Sequence, residues 1–156
     1  MNWYIKTFSE LSGTEVYELL KLRSAIFVVE QKCIFLDMDD YDFNMDHILG
    51  YEEDKLIAYC RVSGPGVIYT EGTIGRVVTD TNSRIKGIGH QLMKQAVELF
   101  DRKYPYDANR IMAQYHLTPF YAQYGFVMKG DAFWEDRILH NYMVRPPAIN
   151  NIEINK

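Results

Sequence analysis

Between Thr73 and Phe100 the chain switches its hydrophobic period once, and two glycines stand at the switch. Ile74, Val77, Val78 and Thr79 are β-branched and predict a strand. Asp80-Thr81-Asn82-Ser83 is a turn cluster. Ile88, Leu92, Met93, Ala96, Val97 and Phe100 then recur at helical spacing. Gly87 and Gly89 therefore fall where the helix begins. A helix start offers unpaired backbone N–H groups and the positive end of the dipole. Glycines let a ligand approach that backbone, and Arg84 and Lys86 add positive charge beside it. These parts suit a pyrophosphate, each charge-assisted hydrogen bond contributing roughly 1.5–3 kcal/mol. They equally suit a plain helix start in a tight turn. The stretch is not a P-loop, because no Gly-Lys-Ser/Thr follows, and it lacks the third glycine of a dinucleotide fingerprint.

The totals narrow the function classes. With 156 residues, 47% hydrophobic and 24% charged, the chain predicts one domain with a real core. A net charge of -4 argues against a nucleic-acid partner, which needs a basic surface. No apolar run approaches the ~18 residues of a membrane span, and the first residues lack a signal peptide's pattern. Cys33 and Cys60 have no metal or redox spacing, so a reducing cytoplasm is the expected compartment.

Trp3–Phe8 predicts a strand, and Thr14 the N-cap of a helix running to about Val29, with Leu19, Leu20 and Ile26 in the core. Glu30 and Gln31 fall at its end, where a negative charge opposes the dipole. From Cys33 to Asp46 the chain predicts a loop with an acidic cluster, Asp37, Asp39, Asp40, Asp42 and Asp46. Such a loop is either a solvated surface or a field for a cationic substrate. His47–Glu52 and Lys55–Val62 predict a hairpin turning at Glu53-Asp54. Arg110–Gln114 predicts a short buried strand. Thr118 predicts the N-cap of a short helix with Pro119 first, ended by Gly125. Val127-Met128 and Asn141–Val144 predict the last strands, and 148–156 a tail.

Phe120-Tyr121-x-x-x-Gly125-Phe126 follows this last helix start. Together with Arg84-x-x-Gly87-x-Gly89 it resembles the paired signatures of the GNAT N-acetyltransferase superfamily. Leu22-Arg23-x-x-Ile26-Phe27-Val28-Val29-Glu30-Gln31, Ala113-Gln114-x-His116-Leu117, and Glu135-Asp136 with His140 resemble its ElaA-like branch. The resemblance implies an α/β (α+β) fold: a single domain over 1–147 with a mixed central sheet. In that sheet the strand ending at Thr79 and the strand Arg110–Gln114 run parallel and splay apart, flanked by helices.

The resemblance also implies chemistry. Acetyl-CoA would be the co-substrate and a primary amine of a small molecule or peptide the acceptor. Val77 and Thr79 would offer backbone hydrogen bonds to the pantetheine arm, the Val78 N–H would polarise the thioester carbonyl, and Arg84, Ile85, Lys86, Gly87, Ile88 and Gly89 would hold the pyrophosphate. Gln114 stands where many relatives have an asparagine that meets the cofactor. Tyr121 would protonate the leaving thiolate, as a phenol with a reference pKa of about 10 can at neutral pH. Tyr124 is the neighbouring candidate. The general base would be Glu30, or His116 in second place. Phe27, Glu30, Gln31, Trp134 and His140 would line the acceptor groove. His140 with Glu135 and Asp136 would line the acceptor pocket or form a metal site, but the superfamily chemistry implies no metal. The resemblance allows a homodimer. A binding or sensing module for acyl-CoA, or an interaction adaptor on the same fold, is the alternative.

Overall fold

The computed structural model describes residues 1–150, with Ile85 and Lys86 described through their backbone alone. The expected tail, 148–156, thus lies outside the described residues from 151 on. The chain forms two compact units. One contains Met1–Val62 and Arg76–Ala96, the other Ser63–Gly75 and the described chain from Val97 onward.

The first unit holds most of the sheet ordered β1-β2-β3-β4: β1 (Asn2–Thr7), β2 (Asp46–Glu52), β3 (Lys55–Ser63) and β4 (Thr73–Thr79), with Ser63 and Thr73–Gly75 belonging to the second unit. β1 and β2 pair antiparallel, as do β2 and β3. Helix α1 spans Gly13–Arg23 and is capped by Ser12, not by Thr14 as expected. The Glu15 N–H donates to Ser12 Oγ at 3.1 Å and the Ser12 N–H donates to Glu15 Oε2 at 2.8 Å. This reciprocal box needs a carboxylate three residues after the cap, which Ser12 has. The helix does not stay α-helical to Val29. From Ser24 to Glu30 it widens into a π-helix, with the Gln31 N–H on Ile26 O and the Cys33 N–H on Val28 O. Such a widening changes the azimuth of the residues beyond it, here Glu30. Leu19, Leu22, Ile26, Leu49, Leu56, Tyr59 and Val78 form the unit's core, with Leu20 and Phe27 packed against it.

Helix α2 (Ile88–Lys103) starts in the first unit and runs into the second. Its stripe of Ile88, Leu92, Met93, Ala96, Leu99 and Phe100 is buried. The second unit's sheet is ordered β5-β7-β6, both pairs antiparallel, from β5 (Asn109–Gln114), β6 (Val127–Glu135) and β7 (Ile138–Arg145). β6 and β7 are far longer than their sequence signal. The register shifts between Lys129 and Phe133, and Gly130 has φ 80, so the alternation is broken mid-strand. Asp136 (φ 47) and Arg137 (φ 65) make the tight turn of this hairpin. Helix α3 (Thr118–Ala122) begins with Thr118 as a helical residue rather than as its cap, because a 3-10 turn, Tyr115–Leu117, leads the chain in.

One parallel bridge, Gly72 with Asn109, ties the segment entering β4 to the start of β5 within the second unit. The Arg110 N–H donates to Gly72 O at 2.8 Å and the Gly72 N–H to Ala108 O at 3.1 Å. A Cβ at Gly72 would collide with the Phe100 ring and the Ser63 carbonyl, so this close approach needs glycine. Beyond the bridge, β4 and β5 belong to separate sheets.

Candidate active site

The glycine-bearing connection belongs to the first unit. After β4 the Asp80 side chain accepts from the Asn82 N–H at 3.3 Å and caps a 3-10 turn, Thr81–Lys86. Gly87 then adopts φ 71, a left-handed conformation that an L side chain resists, and the chain enters α2. A Cβ built on Gly87 meets nothing within 4 Å, so the backbone there faces open space. The Gly87 carbonyl accepts from the Gln91 N–H at 3.3 Å, starting the helix. The first amides of α2, at Ile88, Gly89 and His90, lack intrahelical acceptors by helix geometry. Val78 is buried, while Val77 and Thr79 are half-buried.

Arg84 lies beside this turn, and its guanidinium is already engaged. It forks onto Glu30, with Nη1 to Oε1 at 2.6 Å and Nη2 to Oε2 at 2.9 Å. The Thr81 hydroxyl also donates to Glu30 Oε2 at 3.1 Å. From sequence these two residues have separate tasks; the fold joins them across 54 positions. The hydrogen bond from Arg84 leads the causes that hold the Glu30 carboxyl below its ordinary pKa, against the opposing effect of burial. A lowered pKa makes Glu30 a poorer proton acceptor while the pair lasts. Gln31 and Phe27 flank it, both half-buried.

Three of the five aspartates in the acidic cluster are not free charges. Asp37, Asp39 and Asp42 are consumed by three arginines from other elements. Arg23, fully buried, donates from Nε to Asp37 and from Nη1 to Asp42, both at 2.7 Å. Arg61 bonds Asp42 at 2.9 Å and also reaches Asp39. Arg76 bonds Asp37 Oδ1 and the Asp37 carbonyl, each at 2.8 Å. Arg76 itself has φ 49 inside β4, immediately before Val77 and Val78. The ion pairs thus hold a strained backbone beside the proposed thioester segment. Burial alone would raise the Asp42 pKa, but Arg23 and Arg61 outweigh it and hold the carboxyl below its ordinary range. The network continues to His47, whose Nε2–H donates to the Asp42 carbonyl while Nδ1 accepts from the Tyr59 hydroxyl at 2.7 Å. The spaced Asp run was visible in the sequence; its partners were not.

The second unit holds the other expected residues. Tyr121, on α3, is buried and packs edge-on against Phe120 and Phe126. His116 is exposed in the preceding 3-10 turn. Gln114 ends β5 opposite His140 on β7. His140 donates from Nδ1 to Ile138 O at 2.7 Å and stacks on Phe133. That bond leaves Nε2 as the acceptor nitrogen of the neutral ring. Trp134 pairs with Leu139 and so lies on the opposite sheet face from His140, 73% exposed. Glu135 and Asp136 end β6 and begin the turn. Among the described residues no group of three or more His, Cys, Asp or Glu is arranged to hold a metal.

Comparison with known proteins identifies the class. The sequence profile of the acetyltransferase (GNAT) domain matches residues 29–145, taking in parts of both units. The chain belongs to the GNAT acetyltransferase family, in its ElaA-like branch. It is 37% identical to protein ElaA of Escherichia coli over 147 residues, 93% of this chain and 96% of that one. A UPF0039 protein of Synechocystis is 38% identical over 145 residues, covering 92% and 94%. Among solved structures, an acyl-CoA N-acyltransferase from Pseudomonas aeruginosa superposes with a TM-score of 0.88 at 36% identity, covering 93% of this chain and 99% of that one. The E. coli ElaA structure gives 0.86 at 37% identity, covering 93% and 99%. The α+β fold is therefore the GNAT fold, and acyl transfer is the chemistry of the family. No described helix is long and apolar enough to cross a membrane.

Proposed function

We propose that this protein transfers an acetyl group from acetyl-CoA to a primary amine of a small molecule or peptide by direct attack. The observation that carries this reading is Gly87: a left-handed glycine with open space over it, at the start of an amphipathic helix and close in sequence to Arg84. That combination, in a chain of this family, suits the diphosphate of coenzyme A.

Acetyl-CoA supplies the thioester carbonyl that the amine attacks. The residues of the chain hold and move protons around it. Arg84, the backbone of 85–89 and Gln114 bind, with Val77 and Thr79 aligning the arm through main-chain groups. The Val78 N–H is offered to the carbonyl oxygen, where negative charge grows. Tyr121 gives its hydroxyl proton to the departing sulfur. An amine of lysine type reaches the site as an ammonium, and deprotonating it at pH 7 costs about 4.6 kcal/mol, from 3.4 pK units at 1.36 each. Glu30 takes that proton, with His116 the second candidate. Phe27, Gln31 and His140 line the acceptor side, and Trp134, on the other face of its sheet from His140, is not placed with them. A diphosphate competes with Glu30 for the Arg84 fork, so cofactor binding frees the carboxylate for its role as base. The acetyltransferase domain is assigned to 1–147, with a tail at 148–156, and its compartment to the cytoplasm.

Free-thiol release from acetyl-CoA across a panel of amines tests the reading. Acceptor-dependent release supports it. Tight coenzyme A binding with no release for any amine would replace it with a binding module.

A further inference from the structure

Arg110 differs from the arginines that the fold pairs closely with carboxylates. Arg23, Arg61, Arg76, Arg84 and Arg145 all spend N–H donors on carboxylates. Arg110 is held instead by aromatic rings. Its guanidinium carbon lies 4.3 Å from the Tyr142 ring centroid and 5.6 Å from that of Tyr69. The two rings meet edge-on at 88°. Cation–π contacts orient a guanidinium without using its hydrogen-bond donors. Among the described residues its one carboxylate neighbour, Glu71, is 3.9 Å from Nη1, beyond hydrogen-bond reach. Among the described residues Arg110 makes no side-chain hydrogen bond, although its side chain is only 24% exposed. A planar fork, fixed in place with its donors unspent, is built to read an oxyanion.

Its position relates it to the acceptor. Arg110, Met112 and Gln114 alternate along one face of β5. Tyr142 faces Met112 and His140 faces Gln114 across the β5–β7 ladder, so all five share that face. Met112 is 40% exposed, and this face is open to solvent there. His140 and Gln114 are acceptor and cofactor candidates, while Arg110 stands four residues away, ~13 Å along the strand. The Glu71 charge disfavours a dianion at the fork and leaves room for a single carboxylate.

Resting on the acetyltransferase reading above, we propose that Arg110 reads the carboxylate of the acceptor, and that the acceptor is a short peptide with a free C-terminus. An extended tripeptide places its amine and carboxylate roughly 10 Å apart, which fits within the ~13 Å that separates Arg110 from Gln114 along this strand face. Tyr142 and Met112 then contact its middle side chain.

The test uses the full chain, with alanyl-leucyl-alanine and its C-terminal amide as probes. Binding is followed by calorimetry and by the Arg110 side-chain N–H resonance, and acetylation by thiol release. The acid should bind at least ten-fold tighter than the amide and shift the Arg110 resonance. Arg110→Gln should abolish that preference, and Arg110→Lys should restore part of it. Glu71→Gln should tighten acid binding several-fold, a gain that a merely destabilised protein does not give. Equal binding of acid and amide, or an equal loss of both in Arg110→Gln, overturns the proposal. Carboxylate-selective binding with no acetylation leaves Arg110 in place and removes the transferase reading. Acetylation of other amines with no peptide binding does the reverse.

Discussion

Replacing Glu30 by Gln should push affinity and turnover in opposite directions. The Glu30 carboxylate occupies both arms of the Arg84 fork at 2.6 and 2.9 Å. Both side chains are partly exposed, 43% for Arg84 and 36% for Glu30, so the pair contributes only about 0.2–1 kcal/mol. A diphosphate that takes Arg84 must displace this competitor. Removing the charge should therefore tighten coenzyme A binding about 1.5- to 5-fold, the factor equivalent to that energy. Arg84→Gln deletes charge-assisted bonds worth roughly 1.5–3 kcal/mol and should weaken binding about 10- to 150-fold. Calorimetry with coenzyme A on the two variants reads both signs. The gain in Glu30→Gln should shrink at high salt, because an exposed pair is screened. The same variant should lose turnover with amine acceptors, since the base is gone. Weaker coenzyme A binding in Glu30→Gln would refute the competition, and unchanged turnover would move the base elsewhere.

Three further outcomes are expected. Tyr121→Phe should lower turnover by roughly 10²–10³ with coenzyme A affinity kept, measured by stopped-time thiol release; an unchanged rate would reassign the acid. Gly87→Ala should cost about 1–2 kcal/mol in urea unfolding from backbone strain alone, since its Cβ meets nothing within 4 Å, whereas Gly87→Glu should also weaken coenzyme A binding by repulsion. Asp42→Asn should cost about 3–5 kcal/mol and lower Tm by roughly 10 °C, because it leaves the Arg23 and Arg61 guanidinium groups underpaired where Arg23 is 0% exposed. The Asp42 carboxyl is held below its ordinary pKa, so its stabilisation is present above about pH 4 and fades as pH falls through the folded value. The gap between wild type and Asp42→Asn should accordingly narrow in acid, and a gap constant with pH would contradict the network's role.

Local periodicity carried much of the fold. The β4–Gly87–α2 passage could be read from the sequence because β-branched residues, turn residues and a helical apolar stripe follow one another without interruption. The same holds for the β2–β3 hairpin and for Pro119 in the first turn of α3. The second signature around Tyr121 added the family, since strand, short helix and glycine turn recur in a fixed order. Reading failed where a local rule was interrupted. Gly130 and the shifted register hid most of β6, and the Ser12 box outcompeted Thr14 as a cap.

Tertiary structure alone decided which charges meet. Nothing near Glu30 in sequence announces Arg84, and nothing near Asp37 announces Arg23 and Arg76 together. A charged side chain carries no period, so its partner is set by where packing brings distant segments. The π-helical turn rotates Glu30 toward the α2 entrance, and the β5–β7 register brings Tyr142 under Arg110. The chain's own order thus determined strands, helices and the glycine at the helix start. Burial, by making an unpaired charge costly, determined which carboxylates lose their freedom.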